Sequence, residues 1–220
     1  MINICDSVRN PINVRNPDPR TQDHTLEWRL GYISQFVLAE DVPDEVKIHF
    51  ETGRNLYVYA WYVYRFNMVA EQHILASLEM AARLSLAHFT ACEPPRGLSK
   101  LLRAASTSGL IANERLINRD GWALKRASYR HDLAEMERMN QEGLSECDVD
   151  YRNVQPLEED LNFDWIEHFI SALPHLRNKH AHGTDALDPA VGRTFQIVCE
   201  LINQMFMPFK AEESASSDQA

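Results

Sequence analysis

No proline interrupts the chain between Pro43 and Pro94, and none falls between Pro95 and Pro156. Proline costs about 3 kcal/mol inside a helix and glycine about 1 kcal/mol relative to alanine. Two long proline-free stretches in a chain with only eight glycines therefore favour helix as the dominant structure. Where prolines do occur, they punctuate. Asn10-Pro11, Asn16-Pro17 and Asp18-Pro19 are turn-forming pairs, so residues 1 to about 23 read as an irregular arm laid over the body.

Apolar spacing then places the helices. A short one is expected near 25–38, with Leu26, Leu30, Ile33 and Val37 on one side. Asp41-Val42-Pro43-Asp44 is a helix start with proline in the first turn, and a long helix is expected from there to Phe66. Its middle, Leu56 to Tyr64, is apolar or aromatic nearly all round. Periodicity alone would also allow a buried strand there, but the flanks keep helical spacing, which puts a helix in the core or in an interface. A second long helix, 69–89, should bury Ile74, Leu78, Ala81, Ala82 and Leu86. A shorter one follows with Leu98, Leu101, Leu102 and Ala105 on one face, closed by Gly109.

Residues 113–140 read as helical in part, with a break at Gly121, and 141–163 as an acidic inserted loop that forms a solvated connection, or else repels nucleic acid or masks the basic stretch. Asp164 with Glu167 forms a capping-box-like start to a helix that buries Ile166, Phe169, Ile170 and Leu173, with a kink or restart at Pro174. Gly183 suits a left-handed cap, and Asp188-Pro189 opens a last helix striped by Phe195, Val198, Cys199, Ile202 and Phe206. The expectation is an all-α fold: a 1–40 arm and short helix, a 41–210 helical domain carrying the 141–163 insertion, and a polar, disordered 211–220 tail.

The formal net charge of −10 is adverse for nucleic-acid binding, yet it is unevenly distributed. From Arg96 to Arg130 eight basic residues face two acidic ones, so this window carries +6 and the remainder −16. Within it Trp122 and Tyr129 are interleaved with Lys125, Arg126 and Arg130. That pattern can stack bases while the cations hold phosphates; it also suits a helix docked on a core by two aromatics. Four widely spaced cysteines, Cys5, Cys92, Cys147 and Cys199, argue for reduced thiols rather than a disulfide framework. With no signal pattern and no apolar run of about 20 residues, a soluble cytoplasmic protein is expected, with no membrane partner. His168, His175, His180 and His182 lack the spacing of a two-histidine metal clip, so neither metal nor cofactor is expected.

The densest chemistry lies in Leu176-Arg177-Asn178-Lys179-His180-Ala181-His182-Gly183. A guanidinium, an amide and two imidazoles fall within six positions. The chain contains Arg and His at this spacing three times: Arg83/His88, Arg126/His131 and Arg177/His182. Only the third has a polar residue directly after the arginine, an Ala-His-Gly ending and a place at the junction of the last two helices. This stretch resembles the Arg-x4-6-His motif of the HEPN superfamily of small helical domains, many of them metal-independent endoribonucleases in toxin–antitoxin and abortive-infection systems. The resemblance implies a HEPN-like bundle, usually dimeric, that pairs two motifs in one cleft. It gives Arg177 phosphate binding, His182 acid–base work and Asn178 the orientation of phosphate or histidine. His180 lies outside the motif and could assist, and Lys179 joins Lys125, Arg126 and Arg130 as an RNA-contacting cation. The implied partners are RNA, a second copy of the chain and an antitoxin protein. Some toxin members carry a tyrosine two residues after the histidine, where this chain has Thr184. Other HEPN domains are non-catalytic modules that bind RNA, nucleotide or protein, which is the alternative reading.

Overall fold

The computed structural model describes residues 16–21, 24–90, 93–181 and 191–207. Among them the regular structure is entirely helical: α1 (Leu26–Ser34), α2 (Asp44–Tyr59), α3 (Phe66–Thr90), α4 (Leu98–Thr107), α5 (Arg119–Glu142), α6 (Glu158–Leu161), α7 (Trp165–Ala181) and α8 (Val191–Phe206). They fall into two compact units. Residues 112–169 form one, and the segments before and after them form the other.

In the larger unit α3 is the central helix, packed against α2, α4 and α8. Its sequence explains this position. Ile74, Leu75, Leu78 and Leu86 supply bulk, while Ala70, Ser77, Ala81, Ala82 and Ser85 let neighbouring backbones come close, and all are buried. Ile74, Leu78, Ala81, Ala82 and Leu86 form the face expected from spacing. α2 packs tightly on it at Gly53, where a Cβ would stand 2.5 Å from Ile74 Cγ2 and 3.5 Å from the Ala70 carbonyl oxygen. On α8 the striped residues Phe195, Val198, Cys199, Ile202 and Phe206 are buried as patterned. Phe195 meets Phe50 and Tyr57 edge-on, at 5.8 and 5.6 Å between ring centroids. Burying such a ring contributes about 1.5–3 kcal/mol through its apolar area. Burial also pushes the Cys199 thiol up to about 12, with the Glu200 charge adding to it, which makes this cysteine a packing residue.

The long helix expected through the aromatic run stops early. α2 ends at Tyr59, and Ala60–Arg65 form turns before α3 begins. The cause lies outside the run. Asp18 donates its backbone N–H to the Trp61 carbonyl at 2.8 Å, and its carboxylate accepts the Tyr64 N–H at 3.3 Å. The Thr21 hydroxyl reaches the Asp18 carbonyl at 2.7 Å. Backbone groups released by the helix end are thus satisfied by a segment some forty residues away. Asp18 is fully buried. Burial raises its carboxyl, but the Arg20 side chain and backbone hydrogen bonds pull it down to about 2. Within the run only Tyr57 and Ala60 are buried, and Tyr59 is exposed, so it is not the all-round apolar core helix that composition suggests.

α1 also turns a different face inward. Arg29 and Ile33 are buried, whereas Leu30 and Val37 are exposed. Pro174, where the sequence places a kink or restart, lies inside a continuous α7.

The smaller unit is built on α5. The helix runs through Gly121, which falls in its first turn, where intrahelical bonding is least demanding. It ends at Gly143 in the left-handed conformation, φ 67°. Trp122, Trp165 and Phe169 form an aromatic cluster with centroid separations of 5.2–6.0 Å. Asp164 caps α7 by accepting the Glu167 N–H at 2.9 Å, as its spacing indicates, and Asn113 ties in by donating to Asp164 at 2.9 Å and accepting the Ile166 N–H at 3.1 Å. The acidic segment is more than a solvated connection: Glu158–Leu161 is a helical turn packed on α5, and Asp160 is fully buried. No helix among the described residues is long and apolar enough to cross a membrane.

Candidate functional site

Arg177, Asn178 and Lys179 occupy consecutive exposed positions on the last turns of α7. Leu173, one turn before Arg177, is buried. The Arg177 guanidinium lies 3.5 Å from the Glu79 carboxylate of α3, and Nη1 donates to Asn178 Oδ1 at 3.4 Å. Glu79 also accepts from Arg83 at 3.1 Å. One carboxylate therefore gathers two arginines from two helices, and both guanidiniums remain nearly half exposed. The backbone of His180 continues α7 one turn beyond Arg177. His182, Gly183, Thr184 and the Asp188-Pro189 start lie outside the described residues, as does the 211–220 tail.

The two other Arg/His pairs are placed differently. Arg83 shares Glu79 with Arg177, while His88 is exposed further along α3, its ring edge-on to Phe89 at 4.6 Å. Arg126 stacks on the Phe163 ring at 3.8 Å and pairs with Asp160 at 3.4 Å, whereas His131 faces the Tyr151 ring at 5.9 Å.

The basic residues of α5 are engaged within their own unit. Arg130 grips Asp160 with two parallel hydrogen bonds, 2.8 and 2.7 Å, and reaches Glu159 at 3.3 Å. The Arg130 hydrogen bonds outweigh the opposing effect of burial and, with the Leu157 N–H and the Arg126 charge, hold the Asp160 carboxyl down at about 2. Two of the three α5 cations read from sequence as RNA contacts, Arg126 and Arg130, thus face an internal carboxylate. Lys125 is exposed on the same helix. Tyr129 is exposed and Trp122 buried, so the two interleaved aromatics divide between surface and core. No three His, Cys, Asp or Glu side chains among the described residues come together as a metal-holding group.

The convergence on Glu79 is not legible in the sequence. Glu79 and Arg83 form an i, i+4 pair on α3, which marks them as neighbours, but nothing local ties them to residue 177. Nor is the sequence enough to reveal a cleft of about 490 Å³ in the larger unit, lined by Arg20, Trp28, Arg29, Tyr32, Asn67 and Arg193 among others. No protein-family model, curated protein or solved structure matches the chain.

Proposed function

We propose that the chain is a HEPN-like, metal-independent endoribonuclease acting through the surface around Arg177. The observation that supports this reading is the pair of half-exposed guanidiniums, Arg177 and Arg83, held side by side by Glu79 and followed on α7 by Asn178 and Lys179. A phosphodiester is an oxyanion that can take the place of the Glu79 carboxylate between the two arginines.

RNA carries its own nucleophile. The 2′-oxygen attacks the adjacent phosphorus while a general base removes its proton. The bond from phosphorus to the 5′-oxygen breaks, and a general acid gives that oxygen a proton. The products are a 2′,3′-cyclic phosphate and a 5′-hydroxyl. A histidine titrates near neutrality and suits either transfer, which is the role given to His182, with His180 as its neighbour. Arg177 neutralises the charge that grows on the phosphoryl oxygens, and Asn178, bonded to it, fixes its direction. The second proton-transfer group comes from a second copy of the chain, as in the paired motifs of the family it resembles. An antitoxin partner would cover this surface.

The test is cleavage of a mixed RNA pool in the presence of EDTA, with the product ends analysed. The reading requires cleavage that survives chelation and leaves cyclic-phosphate ends. Activity abolished by EDTA and restored by one divalent ion would overturn it.

A further inference from the structure

On the wall of the cleft in the larger unit, Arg29 is a buried charge with no acidic partner among the described residues. Arg29 is only 8% exposed. Its Nε donates to the Tyr57 carbonyl at 2.7 Å, Nη2 donates to the Asn67 side-chain oxygen, and the guanidinium lies over the Tyr57 ring at 3.8 Å. All of these partners are neutral. Burial lowers its affinity for a proton, with the Tyr57 and Tyr64 phenols opposing, but an arginine stays charged throughout the accessible range. A buried cation without a counter-charge is unfavourable unless something supplies one.

The surroundings narrow down what does. Two of the five guanidinium N–H groups are used, and Nη1 bonds to no described residue. Arg29 lines the cleft, and so do Arg20 and Arg193, whereas no aspartate or glutamate is among the described lining residues. Arg20 is already paired with Asp18 at 2.9 Å, which leaves Arg29 and Arg193 as the cations that face the cleft without an acidic side chain among its described lining residues.

The wall is also fixed in advance. Trp28 is stacked between His24 at 3.7 Å and Tyr32 at 5.1 Å. Tyr32 in turn rests on Gly192, where a Cβ would come within 2.5 Å of its ring. These rings hold one another in place beside the cleft, and the buried Tyr57 ring under Arg29 supplies the apolar surface that strengthens its pull on an anion. The volume of about 490 Å³ is that of a small-molecule site.

We infer that this cleft is a binding site for a small organic anion, a phosphate monoester or a carboxylate, whose charged group is taken by Arg29 with Arg193 at the mouth. The site is separate from the Arg177 surface and does not depend on the ribonuclease reading.

Isothermal titration of the full chain at fixed ionic strength tests this, with ribose 5-phosphate, AMP, citrate and uncharged adenosine as probes. The expected result is saturable binding of an anion with Kd at or below about 1 mM, none of adenosine, and a loss of about tenfold or more in Arg29→Gln. Binding of the phosphate esters alone identifies a phosphate site, and binding of citrate alone a carboxylate site; either upholds the inference. Should Arg29→Gln fail to fold, Arg193→Gln decides, because Arg193 is exposed: a several-fold loss upholds the site. The inference is overturned if no anion binds the parent with Kd at or below about 1 mM, if adenosine binds as well as AMP, or if the deciding variant keeps the parent affinity. In that case Arg29 only fastens α1 to α2 and α3.

Discussion

Glu79 on α3 and Arg177 on α7 form an ion pair at 3.5 Å, and the same carboxylate holds Arg83 at 3.1 Å. Ion pairs this exposed typically contribute about 0.2–1 kcal/mol. Glu79→Gln should therefore shift the melting temperature by only a few degrees while leaving two arginines without their shared anion. On the proposed function, RNA affinity at low salt should rise and its salt dependence steepen. Fluorescence anisotropy with a single-stranded RNA at several salt concentrations measures both. Weaker binding in this variant would show that Glu79 serves the site in another way.

The smaller unit should be sensitive to the loss of a single acid. Asp160 is buried, receives two hydrogen bonds from Arg130 and one from the Leu157 N–H, and pairs with Arg126. Asp160→Asn removes the acid that Arg126 faces and leaves Arg130 with only the more exposed Glu159. Because the arginines are themselves partly exposed, the expected loss is about 1–3 kcal/mol, measured by urea unfolding.

Acid should act on the same contact. The carboxyls of Asp160 and Asp18 are held at about 2, below the ordinary unfolded value of about 3.9. The folded state thus binds these protons less readily, and the stabilisation is complete above about pH 4 and lost as pH falls through about 2. A pH series of thermal melts should decline over this window, less steeply in Asp160→Asn. Equal slopes for parent and variant would remove Asp160 from the account.

Two glycines on helices should respond in opposite directions to alanine. At Gly53 the added methyl would meet Ile74 Cγ2 at 2.5 Å, so Gly53→Ala should destabilise by about 1–3 kcal/mol through overpacking. At Gly31 nothing lies within 4 Å, so Gly31→Ala should stabilise by about 0.5–1 kcal/mol through helix propensity. Chemical denaturation of both variants checks the α2–α3 contact.

Much of the helical layout can be read from spacing, because each of α3, α4 and α8 repeats its apolar residues at the helical period and buries them accordingly. What could not be read depends on distant partners. The end of α2 depends on Asp18, which donates to the Trp61 carbonyl and accepts the Tyr64 N–H across the fold. Arg29 occupies the inward row of α1 one turn before Ile33, a position that a hydrophobic pattern assigns to leucine. Asp160 sits in an acidic run that resembles solvated loop until Arg130 is placed against it. At the candidate site, Arg177 and Asn178 are legible as a local motif, whereas their neighbourhood with Glu79 and Arg83 exists only after α3 and α7 have packed.

The three Arg/His pairs allow the most direct test: RNA cleavage rates for Arg177→Ala, His182→Ala, His88→Ala and His131→Ala, with circular dichroism on each. Arg177→Ala and His182→Ala should retain helical content and lose about two orders of magnitude or more in rate, the usual scale for a lost acid–base group. His88→Ala and His131→Ala should cleave nearly as well as the parent. A His182→Ala variant that cleaves at the parental rate, or a parent that binds RNA and cleaves none, would contradict the ribonuclease reading and leave a binding module in its place.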